Sequence, residues 1–332
     1  MKKRSFRRGI LLLIIITLLF SVVSTEVFAF DDSVYLGGFT LGFDLSGEGA
    51  LIVGLSEVVC DDGVCIPAKD AGLKSGDYIL SLNGKKINKA EDIDEVLEKY
   101  DGKGIIAEIL SDNQKQIRNI FPKKDISGKY KFGILVRDYL SGLGTVTFVT
   151  KDGEFYSLGH PITDEEGKLL KVSGGNVYCC NISDVEKGTR GHAGELKGDI
   201  IRDKILGTVY ENSAIGLTGK FTDKSYYKKL PSLQCGLAKQ GVAEIYATID
   251  GMQIEKYSAA IIKADENDKF NKNLVIKITD RRLIESAGGI VRGMSGSPIV
   301  QNGKIVGAVT HVFLNDSTRG YGISIARMLS DD

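Results

Sequence analysis

From Phe132 to its end the chain alternates short β-branched runs with glycines, and this punctuation limits most tightly what it can fold into. "GILVRDYL", "GTVTFVT", "VAEIYATI", "NLVIKITD" and "SPIVQNGKIVGAVTHVF" are strand-length runs separated by turn residues. Asn302-Gly303, set between two apolar runs, is a tight-hairpin signal. Only Asp280–Gly289 ("DRRLIESAGG") reads as a helix in this half. Forty glycines against five prolines, and no tryptophan, fit the same picture of many short strands and tight turns. The expected class is mainly β, a barrel or sandwich over residues 132–332.

The preceding stretch is mixed. Gly49–Val59 reads as a strand, and Ala71–Ile87 as two short strands turned at Asn83-Gly84. Asn88–Tyr100 places Ile93, Val96, Leu97 and Tyr100 at helical spacing, with Asn88 as N-cap and Glu91 three residues on. Residues 34–122 thus form an α+β unit, and the polar, basic residues 123–131 a linker. At the N-terminus, Lys2, Lys3, Arg4, Arg7 and Arg8 precede an apolar run from Ile10 to Val23. A basic cap on such a run marks residues 1–30 as a signal peptide or signal anchor, hence export across the cytoplasmic membrane or anchoring in it.

Lys+Arg and Asp+Glu are both 43, so the chain lacks the basic excess a nucleic-acid binder needs. No glycine-rich phosphate loop opens a helix, and no metal-ligand or cofactor pattern is present. Of the five cysteines, Cys60 and Cys65 flank "DDGV" and could close a small hairpin disulfide in an exported protein.

"GMSGSP" (Gly293–Pro298) carries the chemistry. A serine between glycines can be approached by backbone N–H groups, but its hydroxyl also requires a base to become nucleophilic. The chain has three histidines, His160, His192 and His311. His192 sits among charged residues, and His311 lies on the strand after the serine turn. His160, before a turn in "SLGHPITD" and well ahead of Ser295, is the candidate base.

These residues resemble known families. Gly293–Pro298 is similar to the nucleophile turn of chymotrypsin-like peptidases, with serine in place of the second glycine. That resemblance implies a double β-barrel, with an oxyanion hole from the N–H groups of Gly293 and Ser295. "LGFDLS" (Leu41–Ser46) with "IPAKDAGLKSGDYILSLNGKKINKAEDIDEVL" resembles a PDZ domain, which implies a peptide-binding groove whose carboxylate loop is Leu41-Gly42-Phe43. Together with "KFGILVRDYLSGLGTVTF" and "GGIVRGMSGSPIVQNGKIVGAVTHVFLND", the whole resembles the SpoIVB family, the sporulation stage IV B serine peptidases.

The SpoIVB resemblance implies an exported signalling endopeptidase of the forespore intermembrane space. It implies self-cleavage near the N-terminus, and cleavage of a regulatory subunit of a membrane-embedded protease complex that leads to sigma-factor activation. It favours Asp280 as the residue orienting His160, with Asp164 and Asp250 as physical alternatives and a helix cap as another role for Asp280. The alternatives are a PDZ adaptor with an inactive barrel, or a paralogous peptidase with another sporulation substrate.

Overall fold

The computed structural model describes residues 33–330, apart from Asn113, residues 164–166 and Lys269. The segment expected to direct export, and Asp164, lie outside the described residues. Among those described, no helix is long and apolar enough to cross a membrane.

Strand β1 (Ser33–Leu36) leads into a 16-residue strand, β2 (Thr40–Leu55). A small hairpin, β3 (Val58–Cys60) and β4 (Gly63–Cys65), is followed by helix α1 (Pro67–Asp70). Then come β5 (Tyr78–Leu82), β6 (Lys85–Lys86) and helix α2 (Ala90–Glu98). The hairpin β7 (Ile105–Ser111) and β8 (Gln114–Ile120) precedes the two-residue strands β9 (Lys123–Lys124) and β10 (Tyr130–Lys131). A second 16-residue strand, β11 (Ile134–Val149), is followed by β12 (Glu154–Leu158) and β13 (Val172–Glu186). Next are β14 (Glu195–Ile201), β15 (Gly207–Ser213), β16 (Gly216–Phe221) and the helical turn α3 (Lys224–Tyr227). The remainder holds β17 (Ser232–Cys235), β18 (Gly241–Ala247), β19 (Glu255–Ala264), β20 (Leu274–Ile278) and helix α4 (Arg281–Ala287). It closes with β21 (Pro298–Gln301), β22 (Lys304–Phe313), β23 (Asp316–Ser324) and helix α5 (Ile325–Leu329).

Pairings close two six-stranded rings. The first runs β2–β11–β12–β16–β15–β13 and back to β2, around Leu41, Phe43, Val146, Phe155, Leu217 and Phe221. The second runs β18–β19–β20–β23–β22–β21 and back to β18, around Ile245, Ile261, Ile276, Met294, Ile299 and Val309. Closure leaves no open edge within either ring. The chain is mainly β, with a double barrel, as the glycine-punctuated runs require.

A third core gathers on the C-terminal half of β2, which pairs with β5, as β5 does with β7 and β7 with β8. Helix α2 covers it with Ile93 and Leu97, each contributing about 1.5–3 kcal/mol by burial. The helix is capped one residue later than expected, at Lys89 rather than Asn88. The Asp92 carboxylate accepts from the N–H groups of Asn88 (2.9 Å) and Lys89 (3.2 Å), so Asp92, not Glu91, ties down the entry. Asn83-Gly84 and Asn302-Gly303 both take positive φ and form the predicted tight hairpins.

The cores do not separate where the sequence suggested. Both long strands are shared: β2 pairs with β13 through its first half and with β5 through its second, and β11 runs alongside both halves. The mixed unit is therefore inserted into the first barrel's strand order, and residues 34–47 belong with the barrel. Leu41-Gly42-Phe43 accordingly forms no loop. Leu41 and Phe43 are buried in the first barrel, and Gly42 is paired with Leu143 on one side and Tyr178 on the other. The apolar-glycine-apolar pattern there serves a crowded strand, since a side chain at Gly42 would meet Ile200.

Candidate active site

Ser295 sits in the turn between α4 and β21, at the second barrel's face toward β11 and β12. Met294, fully buried, anchors the turn in the core. Its carbonyls and amides are then fixed from both sides. Thr145 on β11 donates its N–H to Ser295 O (3.1 Å) and its hydroxyl to Gly293 O (2.8 Å), while Thr147 donates its hydroxyl to Gly296 O (2.8 Å). From β22, Val309 O accepts the Gly296 N–H (2.8 Å). The glycines meet a steric need: a Cβ at Gly296, where φ is +96°, would run into Thr145 O and Leu158 N.

The amides along this turn divide in a telling way. Those of Arg292, Met294, Gly296 and Ser297 each donate to a carbonyl. Among the described residues, those of Gly293 and Ser295 donate to none. Two unspent N–H groups flanking a half-buried serine hydroxyl are what an oxyanion requires, and a buried amide is otherwise seldom left unpaired.

His160 follows β12, after two residues with φ of +70°, Leu158 and Gly159. For leucine this is a strained conformation, held because Leu158 is packed in the first barrel. Gly159 lies against Thr310, whose methyl group is 3.0 Å from the position a Cβ would take. Thr310 O in turn accepts the Ser295 hydroxyl at 2.7 Å. Gly159, next to His160, and Ser295 thus both lie against Thr310, and Gly296 lies against Leu158, but the serine proton rests on a backbone carbonyl rather than on the imidazole. The Nδ1 of His160 is 3.0 Å from Pro161 O. With Nδ1–H donating there, Nε2 keeps its lone pair, the form a general base needs. Burial holds this imidazole below the usual histidine pKa, partly offset by the Pro161 carbonyl.

Asp280 does not meet that histidine. Its carboxylate caps α4 through the Arg282 N–H (3.0 Å), accepts the Ser258 N–H (3.1 Å) and pairs with the Arg282 guanidinium (3.1 Å). The Arg282 hydrogen bonds hold its pKa below the ordinary carboxylate range against the opposing effect of burial. Asp250 makes no described contact with the imidazole either. His192 is exposed and paired with Glu186 at 2.8 Å. His311, read from sequence as an ordinary strand residue, instead lies against His160 with ring centroids 4.6 Å apart.

A second candidate site is lined by residues that sequence reasoning did not single out for the expected peptide groove. A cleft of about 520 Å³ opens between α2 and the start of β11, lined by Val58, Ile93, Leu97, Phe132, Ile134 and Val136. The carbonyls of Phe132 and Gly133 accept from Ala68 N (2.8 Å) and Ser56 N (3.0 Å). Their own N–H groups, at a glycine with φ of +74°, donate to no acceptor among the described residues. The Ser56–Gly133 bond makes Ile134 a non-hydrogen-bonded position against β2, so its amide and carbonyl face away from that strand. "KFGI" was the available signal, an apolar-glycine-apolar run no different in pattern from "TLGF".

Two closed barrels carrying a glycine-flanked serine and a histidine in adjoining turns define the architecture of a double-barrel serine peptidase. The profile of the SpoIVB peptidase S55 family matches residues 128–329, and the chain belongs to that family. It is a serine peptidase acting on protein substrates. Two solved structures of the Rv3671c protease are similar over part of the chain. One, described as an inactive form, is 16% identical, covers 56% of this chain and 80% of its own, and gives a TM-score of 0.33. The other, a serine-to-alanine mutant from M. tuberculosis H37Rv, is also 16% identical, covers 57% and 78%, and gives the same TM-score of 0.33.

Proposed function

We propose that Ser295 is the nucleophile of an endopeptidase and His160 its general base, with the Gly293 and Ser295 N–H groups receiving the carbonyl oxygen. The observation carrying this reading is the pair of unspent amides on either side of Met294. The Ser295 hydroxyl turns from Thr310 O to His160 Nε2, attacks the peptide carbonyl, and yields an acyl-enzyme as the leaving amine takes the proton from His160. Water, deprotonated by the same nitrogen, then releases the acyl group.

Membership of the SpoIVB family supports a finer reading. The enzyme acts in intercompartmental signalling during endospore formation, in the space between the forespore membranes. Its basic, apolar N-terminal segment carries it to or across the cytoplasmic membrane. It cleaves its own N-terminal segment and a regulatory subunit of an intramembrane protease complex. The mixed unit acts as a PDZ-type module that takes an extended peptide in the cleft beside α2, with the Phe132-Gly133-Ile134 turn in the part first expected of residues 41–43. Incubating the chain beside Ser295→Ala and following fragments by mass spectrometry tests this. The reading expects N-terminal fragments from the wild type alone; identical fragments from both would refute self-cleavage.

A further inference from the structure

We propose that His311 is the positioning residue of the catalytic base, its ring holding the His160 imidazole where Nε2 can reach Ser295. This rests on His160 being the base. The need arises at Nδ1: the partner there is Pro161 O, a single neutral carbonyl, and Asp280 is occupied elsewhere. One hydrogen bond leaves an imidazole free to tilt about it. Something else must fix the plane of the ring, and the His311 ring meets it at a centroid distance of 4.6 Å and an angle of 38°.

The backbone is shaped to bring it there. The ladder between β22 and β23 pairs Val309 with Gly322 and then Val312 with Gly320, so Thr310 and His311 together oppose Tyr321 alone. An extra residue of this kind breaks the strand's alternation and re-aims the side chains beside it. Gly320 admits the displaced backbone, since a side chain there would strike His311 O. One bulge therefore does two things: it turns Thr310 O onto the Ser295 hydroxyl at 2.7 Å and sets the next side chain against the base.

The role asks for an uncharged ring, because the base becomes an imidazolium on taking the serine proton. His311 keeps part of its surface in solvent, yet partial desolvation, then His160 and then Lys272, lower its pKa to about 4, so the ring is uncharged at neutral pH. The charged and titratable groups facing it are His160 from the turn after β12 and Lys272 from the segment before β20. Lys272 is drawn over the Tyr321 ring, 4.8 Å from its centroid. Removing the His311 ring also admits water to one face of His160. Its desolvation falls, its pKa rises toward the ordinary histidine value, and the pH at which the base becomes neutral moves up with it.

The test uses the full chain and a fluorophosphonate probe, whose rate of attachment to serine needs the base but no identified substrate. Labelling rate is measured against pH for wild type, His311→Ala, His311→Phe and His160→Ala, with a melting curve for each. His311→Ala is expected to label about 100-fold more slowly, the scale of a misplaced catalytic group, with its acid limb shifted to higher pH. His311→Phe, which restores a ring face without titrating, is expected to recover most of the rate and the wild-type limb. The inference is overturned if His311→Ala labels at the wild-type rate with an unmoved limb. It is equally overturned if the phenylalanine variant melts like wild type yet labels as slowly as the alanine one. Normal labelling of His160→Ala would instead remove the base assignment beneath it.

Discussion

Gly296 has no room for a methyl group, because Thr145 O and Leu158 N, on strands that carry the site's other half, already touch it. Gly296→Ala should therefore push the serine turn away from β11 and β12. A loss of stability of about 2 kcal/mol or more, read by denaturant titration, is expected together with loss of probe labelling. Asp280 invites a sharper comparison. As the cap of α4 it should cost about 1 kcal/mol when replaced by alanine, while Asp280→Asn, which still caps, should label at close to the wild-type rate. An orienting acid would behave otherwise, its amide variant losing about 10⁴-fold. The same carboxylate makes a signed pH prediction. Its folded pKa is lowered, so its contribution is present above the ordinary carboxylate pKa and is lost as pH falls through the folded value. The stability gap between wild type and Asp280→Ala should close in acid. Ser295 and His160 were singled out as candidates from the sequence because a serine between glycines and a scarce histidine are local patterns. His311 was not: its place depends on a bulge in the β22–β23 register, which no stretch of sequence spells out.

Strand β11 connects the two sites along a single element. Its first residues line the cleft beside α2, and Thr145, near its other end, holds both Gly293 and Ser295 through their carbonyls. Thr145→Val removes the hydroxyl that Gly293 O accepts while keeping the shape. A drop in labelling of about tenfold, with melting changed by only a few degrees, is expected if that bond orients the Gly293 amide. The hairpin β3–β4 offers another element-scale test. Cys60 and Cys65 are free thiols whose sulfurs lie 3.6 Å apart, beside Val58 at the cleft wall. Mild oxidation should join them, with a loss of two hydrogens on the peptide spanning both. The misreading of Leu41-Gly42-Phe43 belongs to this scale too. "TLGF" and "KFGI" share one pattern, and only pairing partners far along the chain decide which is a buried strand and which a turn with spare amides.

At the scale of the whole molecule, the two long strands make the three cores interdependent. The first barrel needs β2, which lies before the mixed unit in sequence, so a peptidase cannot be obtained by starting the chain at Phe132. Such a truncation should lack the near-ultraviolet circular dichroism of packed aromatics, whereas a chain beginning at Ser33 should keep it and melt in one transition. The class was readable because strand runs and glycine turns are local, and two closed barrels are what they form. The interleaving was not, because a 16-residue strand serving two cores looks in sequence like two short strands with a glycine between. The central claim joins these scales: a serine turn fixed between two barrels, with two unspent amides and an adjoining base. Locating the fluorophosphonate adduct by tandem mass spectrometry on the intact chain tests it most directly. The account predicts a single adduct on Ser295 that is absent from His160→Ala; an adduct on another residue, or one unchanged by loss of His160, would contradict it.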